Sequence, residues 1–165
     1  MSDHRSHFLA RFIAIASLAT IALTSVWLPQ RVATHFGAAG LPNGFMTRGT
    51  YLAFMAGVVA GMPTLLSAII GAAIRRSPAC INIPHRDYWL APARREATVD
   101  YLLRHTARLA AGVALFALAL HFVLIHANAL SPPRLEASYM WGLLAGALGG
   151  VAFWIIDLRR RFQLP

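Results

Sequence analysis

The stretch Leu28-Pro-Gln-Arg-Val-Ala-Thr-His-Phe-Gly-Ala-Ala-Gly-Leu-Pro-Asn-Gly-Phe-Met-Thr-Arg48 separates two long apolar runs. It holds one His, an Arg towards either end, three Gly and two Pro in a chain with few other polar intervals. Gly and Asn accept positive φ and Pro fixes its own φ, so the Pro42-Asn43-Gly44 step is typical of a turn. We therefore predict a compact, turn-rich loop between two membrane helices, and no strand.

The runs on both sides belong to a set of four apolar segments that are long enough to cross a bilayer. They cover residues 12–28, 50–74, 109–130 and 137–156. Charged residues make up 13% of the chain, whereas soluble domains average about 25%. We predict one all-α membrane domain of residues 1–165, an integral membrane bundle with helices at about 9–28, 50–74, 98–130 and 137–157. The first run lacks a clean cleavage site after it, so we interpret it as a retained helix and not as a signal peptide.

Arginine distribution predicts the orientation of the bundle. All fifteen basic residues are Arg, and twelve of them lie in the two terminal segments and in residues 75–108. The other three are Arg31, Arg48 and Arg134. By the positive-inside rule, both termini and the long loop are cytoplasmic at a bacterial inner membrane, and the first loop faces outward. The net charge of +9 is explained by a basic rim at the bilayer surface, so we expect no nucleic-acid partner.

The segment between the second and third runs is the most charged part of the chain. A helix begins at Ala93, and it either lies along the membrane surface or extends the third helix out of the bilayer. Two readings stay open for the preceding motif: it binds acidic headgroups or a cytoplasmic protein partner, or it is a solvated loop with aromatic anchors. The motif residues are Asn82, Pro84, Tyr88, Trp89 and Pro92.

Small residues at helical spacing predict close packing in two of the helices. The second run contains Gly57-x-x-x-Gly61, and the fourth has glycines four residues apart, at Gly142, Gly146 and Gly150. Such spacings let helix backbones approach, so the fourth helix is expected to pack tightly in the bundle or in a homodimer. Pro63 removes a backbone donor and should kink the second helix. We interpret this kink as a packing feature in preference to a functional hinge.

Polar residues on the outer side form the first candidate site. It consists of His35, Asn43 and Arg48, with His126 arriving from the third helix. We expect His35 to turn inward and hold the loop through backbone hydrogen bonds, Asn43-Gly44 to take positive φ, and Arg48 to anchor the next helix. Metal binding is disfavoured, because only two His meet here and the first loop has no carboxylate to complete a set.

His121, in the bilayer, is the second candidate, since an intramembrane ionisable group is a functional hypothesis by default. A hydrogen bond to a neighbouring helix is the favoured alternative, because the other three runs supply no further ionisable group for a proton relay. The chain has no phosphate-binding loop and no catalytic set, and Cys80 is its only cysteine. We read Cys80 as a small apolar filler, and we expect no enzyme activity, no cofactor and no metal site.

The first loop resembles the membrane domain of unknown function at the N-terminus of SdpI-type bacterial immunity proteins. The matching residues are His35, Phe36, Gly40, Pro42, Asn43, Gly44 and Arg48. In those proteins the domain is followed by further helices, and the whole protects the cell from a secreted toxin and relays its presence to a repressor. The resemblance extends over about residues 10–130. It implies a membrane location and an outward loop that senses an external peptide or ligand. The alternative is a small transporter or channel component that uses His121 and the kinked second helix.

Overall fold

The computed structural model describes residues 3–76 and 81–163, so Cys80 lies outside the described residues. Within this part, four helical segments are long and apolar enough to cross a membrane. They are His7–Trp27, Arg48–Ala73, Pro92–Ala129 and Ala137–Arg161. The predicted all-α membrane bundle is confirmed, with one small sheet added to it.

The helices follow the apolar runs closely, because an uninterrupted apolar segment must satisfy its own backbone inside a bilayer. The α-helices are α1 Asp3–Thr24, α2 Arg48–Ala56, α3 Met62–Arg76, α4 Arg86–Trp89, α5 Pro92–Ala129 and α6 Ala137–Arg161. A 3₁₀ turn, Ser25–Trp27, follows α1, and a π-helical turn, Gly57–Gly61, joins α2 to α3. The core forms where α1 and α2 pack on the middle of α5, around buried Tyr51, Met55 and Ala117.

The first loop is a β-hairpin, so the prediction of a strand-free loop is wrong. Strands β1 Arg31–Phe36 and β2 Pro42–Thr47 pair antiparallel. The turn lies at Gly37–Gly40, where the Gly40 N–H donates to the Gly37 carbonyl over 2.9 Å. Gly40 has φ +73°, whereas Asn43 and Gly44 lie in β2 without positive φ, contrary to the prediction. The Pro-Asn-Gly step suggested a turn, but the strand pairing places that step inside β2.

Pro63 is accommodated by a wider helical turn directly before it. The Met62 N–H donates to the Gly57 carbonyl, five residues back, instead of four. Because Pro63 lacks an N–H, the regular ladder cannot continue through it, and a π-helical turn takes up the difference. A Cβ atom built on Gly57 or Gly61 would meet nothing within 4 Å. The predicted close helix contact at this glycine pair is therefore wrong within the chain.

The third helix is one continuous element of 38 residues that starts at Pro92. It begins one residue before the helix start predicted at Ala93 and ahead of residue 98, where the predicted span begins, because Pro is favourable in a first turn and the charged residues after it continue the helix. Of the two alternatives for the segment from Ala93, the structure shows the extension of the third helix.

Helix α6 packs less tightly than its glycines suggested. No residue of α6 in the described part of the chain is fully buried. A Cβ built on Gly142, Gly146 or Gly150 would meet nothing within 4 Å, so the prediction that this ridge packs in the bundle is wrong. The half-buried residues of α6, among them Leu143, Ala147 and Trp154, lie on a neighbouring face of the helix, and that face turns towards α5.

Candidate functional site

The edge of β1 is closed by a side chain from α5. The Ala33 N–H donates to Asn128 Oδ1 over 2.8 Å, and Asn128 Nδ2 donates to the Ala33 carbonyl over 2.9 Å. The same Nδ2 also donates to the Leu124 carbonyl over 2.9 Å, which fixes the amide on its helix. The amide thus takes the place of a further strand and ties the hairpin to the bundle.

The backbone groups of Phe45 face the opposite edge of the hairpin, which is the outer edge of β2. In an antiparallel pair, two opposite residues either exchange hydrogen bonds or both point their backbone groups away from each other. Ala33 points away from β2, towards Asn128, and Phe45 is its partner in the register. The N–H and C=O of Phe45 therefore point to the outer edge of β2. A groove of about 510 Å³ adjoins Phe45, lined by residues 43–47 and, from the β1 side of the hairpin, by Gln30 and Arg31.

The groove combines an aromatic surface with a positive charge. Phe45 is 43% exposed, and the Arg31 guanidinium lies 4.6 Å from the centroid of its ring. No carboxylate in the described ranges forms an ion pair with Arg31. This edge can therefore offer a hydrogen-bond donor, an acceptor, an apolar contact and a cation to one extended segment.

His35 is exposed, so the prediction that it turns inward is wrong. Its Nδ1 lies 3.1 Å from Thr34 Oγ1. A register shift between Ala33 and His35 changes which side chains of β1 point to each face of the hairpin. The His35 side chain therefore passes over Gly44 on the neighbouring strand. A Cβ on Gly44 would lie 3.0 Å from the His35 Cβ, so the glycine gives the histidine its space.

The tip of the hairpin is docked on the α5–α6 connection. The Leu135 N–H donates to the Gly40 carbonyl over 2.9 Å, and the Arg134 N–H donates to the Ala127 carbonyl over 3.0 Å. A Cβ on Gly40 would overlap the Leu135 carbonyl oxygen. The tip and the connection also line an open cleft of about 710 Å³. Both connections at this end of the bundle therefore form one platform, which we define as residues 31–47 and 130–136.

Arg48 holds the base of the platform, as the first residue of α2. Its N–H donates to the Gln30 carbonyl over 3.0 Å, and its guanidinium donates to the Leu28 carbonyl over 3.2 Å. His126 lies in the last turn of α5. Its Nε2 is 3.9 Å from Glu136 Oε1, and its ring centroid is 5.0 Å from that of Tyr139. Among the described residues, no three His, Cys, Asp or Glu side chains are placed to hold a metal ion.

His121 is fully buried and joins three elements of the bundle. Its Nδ1 lies 2.8 Å from the Tyr51 hydroxyl, and its Nε2 lies 2.8 Å from Thr24 Oγ1. The Thr24 hydroxyl donates in turn to the Thr20 carbonyl over 2.7 Å. Both ring nitrogens are therefore engaged inside the chain, which is how a buried imidazole avoids a desolvation cost.

A second buried histidine, His105, lies towards the end of the bundle away from the hairpin. The sequence analysis did not single it out. His105 Nε2 donates to the Trp154 carbonyl over 3.1 Å, and its ring stacks on that of Trp154 with centroids 4.3 Å apart. Asp157 accepts from the Tyr101 hydroxyl over 3.1 Å and from Arg108 over 3.2 Å. The helical spacing of Tyr101, His105 and Arg108 is a signal that could have placed them on one face, but no local signal points to α6 as the partner.

The two aromatic residues of the motif before α5, Tyr88 and Trp89, are half-buried. Trp89 Nε1 donates to the Phe162 carbonyl over 3.2 Å, and Trp89 accepts from Thr98 Oγ1 over 2.8 Å. The Arg94 guanidinium lies 4.0 Å from the Tyr88 ring centroid. The remaining motif residues are exposed, with Pro92 at the start of α5; they are Asn82, Pro84 and Pro92. The motif thus joins the start of α5 to the end of α6.

The four candidate spans define a multi-pass membrane protein of the all-α class. Within it, residues 12–60 match the family described as Domain of unknown function (DUF1648). The match covers most of α1, the hairpin and α2, and it confirms the resemblance to a domain of unknown function. No curated protein matches the chain, and no solved structure matches it.

Proposed function

We propose that this protein is a non-enzymatic receptor-like membrane protein that recognises an extended peptide outside the membrane, along the edge of β2. The observation that carries the proposal is the asymmetry of the hairpin: Asn128 closes the edge at Ala33, whereas Phe45 leaves the opposite edge open. An extended peptide adds to such an edge through main-chain hydrogen bonds, and side-chain contacts supply specificity.

The chemistry of the edge defines the peptide class. The exposed Phe45 ring favours an apolar side chain, and Arg31 favours a neighbouring carboxylate. The platform is held in place before binding by Asn128 and by the Leu135–Gly40 hydrogen bond. Such preorganisation reduces the entropic cost of association. An acidic, partly apolar strand is the partner that fits this surface.

SdpI-like sensing or immunity is the biological role that we propose for this recognition. The domain at residues 12–60 supports it through the resemblance described above, and the platform lies on the face with few arginines. The setting that we propose is a bacterial inner membrane with both termini cytoplasmic. A cytoplasmic protein partner would dock near exposed Asn82 and Pro84, and a second copy would pair through the open glycine ridge of α6.

Transport is the less supported candidate. It would use His121, but Tyr51 and Thr24 engage both ring nitrogens. A relay through His121 would first have to break one of these hydrogen bonds. The receptor role requires no such rearrangement, because the edge of β2 is accessible as it stands.

The test uses one backbone group of Phe45. Peptides that bind the protein in nanodiscs are selected from a random nonapeptide library, and their affinities are measured for wild type, Phe45→Ala and Phe45→Pro. Phe45→Pro removes the outward N–H, and a proline is tolerated where the N–H of an edge strand faces solvent. We expect it to weaken binding by about fivefold beyond the effect of Phe45→Ala, since one hydrogen bond contributes about 1 kcal/mol.

Phe45→Ala is the matched control, because it loses the ring and keeps the N–H. Equal thermal stability of the two variants in detergent shows that the hairpin is intact in both. Equal affinity of the two variants would exclude strand addition at Phe45. A library that yields no binder at all would contradict the recognition role itself.

A further inference from the structure

A cleft of about 550 Å³ lies between α1 and α3, at the end of the bundle away from the hairpin. Its walls and floor belong to three of the candidate membrane spans, since α1 and α3 both pack on α5. Much of the lining carries only methyl side chains, which leaves space between the helices. These residues are Ala10, Ala14, Ala60, Ala68, Ala107 and Ala110.

The cleft is at membrane depth over most of its length. Along α1 it runs from His7 to Leu18, and His7 is also the first residue of the first candidate span. The distance from Arg11 to Leu18 along the helix is roughly 10 Å, at about 1.5 Å per residue. An apolar space that opens to the hydrocarbon region is filled by acyl chains, because water is absent there.

The surface end of the cleft is basic. His7 and Arg11 are four residues apart, so they share one face of α1, and both line the cleft. The Arg11 side chain is exposed, and it makes no ion pair or hydrogen bond within the ranges that the structure describes. A guanidinium in this position can pair with two oxygens of a phosphate.

We propose that this cleft binds one anionic phospholipid. Its phosphate lies against Arg11, and one acyl chain lies between α1 and α3 over the alanines of α5. The net negative headgroup is favoured over a zwitterionic one, because an ammonium group in the same headgroup would oppose the positive charge at Arg11. The bound lipid contacts α1, α3 and α5 together, so it stabilises their arrangement. This site is independent of the peptide edge on β2.

The test compares lipids of one acyl composition. Purified protein in detergent receives equimolar phosphatidylglycerol and phosphatidylethanolamine, and retained lipid is counted by native mass spectrometry. Wild type should keep one phosphatidylglycerol in preference. Arg11→Gln should lower its retention by about fivefold, the effect of one cationic side chain near a membrane surface. Arg160→Gln is the matched control, because it removes an exposed arginine at the end of α6, outside the cleft.

A second pair of variants tests the acyl chain. Ala68→Trp fills the cleft and should lower retention of both lipids, whereas Ala152→Trp adds the same ring on the exposed surface of α6. Melting temperatures without added lipid show which variants are folded. The proposal is overturned if wild type retains both lipids equally, if Arg160→Gln loses as much as Arg11→Gln, or if folded Ala68→Trp keeps its phosphatidylglycerol.

Discussion

At the residue scale, two glycines support the hairpin for different physical reasons. Gly40 combines φ +73° with direct contact between its backbone and Leu135, so both its conformation and its missing side chain matter. Gly44 lacks positive φ, and it is required because the His35 side chain passes over it. The sequence predicted that both glycines lie in turns. The strand register shows that Gly40 lies in the turn, whereas Gly44 lies within β2.

A matched pair of alanine variants tests the role of Gly40. Gly40→Ala should lower the free energy of unfolding by about 1 kcal/mol or more, because left-handed backbone is unfavourable for alanine and the new Cβ overlaps Leu135. Gly49→Ala should raise stability slightly, since Gly49 lies in α2 with nothing within 4 Å of a Cβ. Hydrogen exchange at residues 37–41 and 134–136 measures the docking. Equal protection in wild type and Gly40→Ala would contradict the docking role.

Residues that act across long sequence separations were the hardest to predict. Asn128 and Ala33 are 95 positions apart, and an asparagine near a helix end gives no local sign of its partner. His105 likewise depends on Trp154, which is 49 positions away. His35 was predicted as a backbone anchor from its place in the loop. The register shift in β1, at which His35 is left exposed, arises from the pairing and not from any single residue.

At the element scale, the hairpin is the part of the fold that sequence patterns missed. Its strands have six residues each, and glycine and proline in β2 weaken the strand signal. An isolated two-stranded hairpin is marginal in water. Here Val32 and Ala33 are fully buried in the bundle, and Asn128 supplies the missing edge partner. The helices stabilise a strand pair that would not be stable alone.

Replacing Asn128 tests this dependence. Asn128→Leu leaves the buried N–H and C=O of Ala33 without their partners. Since an unsatisfied buried polar group costs about 1–3 kcal/mol, we expect stability in detergent to fall by roughly that amount. Protection from hydrogen exchange should fall across Arg31–Phe36. Asn82→Leu, the same change at an exposed position, should do neither. Retained protection in β1 would mean that packing alone holds the strand.

At the scale of the whole molecule, the spans were predictable and their arrangement was not. Length and hydropathy of a run are local properties, so four spans could be read from the chain before any contact was known. The position of α6 depends on contacts at its ends, around Trp154 and at the Leu135–Gly40 hydrogen bond. The prediction that its glycine ridge packs in the bundle was therefore wrong. Arginine counts likewise predict orientation without defining what either face binds.

The orientation is the last prediction, and it underlies both proposed sites. The hairpin and the α5–α6 connection share one end of the bundle, whereas α4 and the C-terminal Phe162 share the other. Twelve of fifteen arginines belong to the segments at the second end. We therefore expect that end to be cytoplasmic. In a Cys80→Ser background, a membrane-impermeant maleimide should label Ala38→Cys in intact cells, and it should label Asn82→Cys only after permeabilisation. The reverse pattern would place the peptide edge inside the cell and would exclude an external ligand for it.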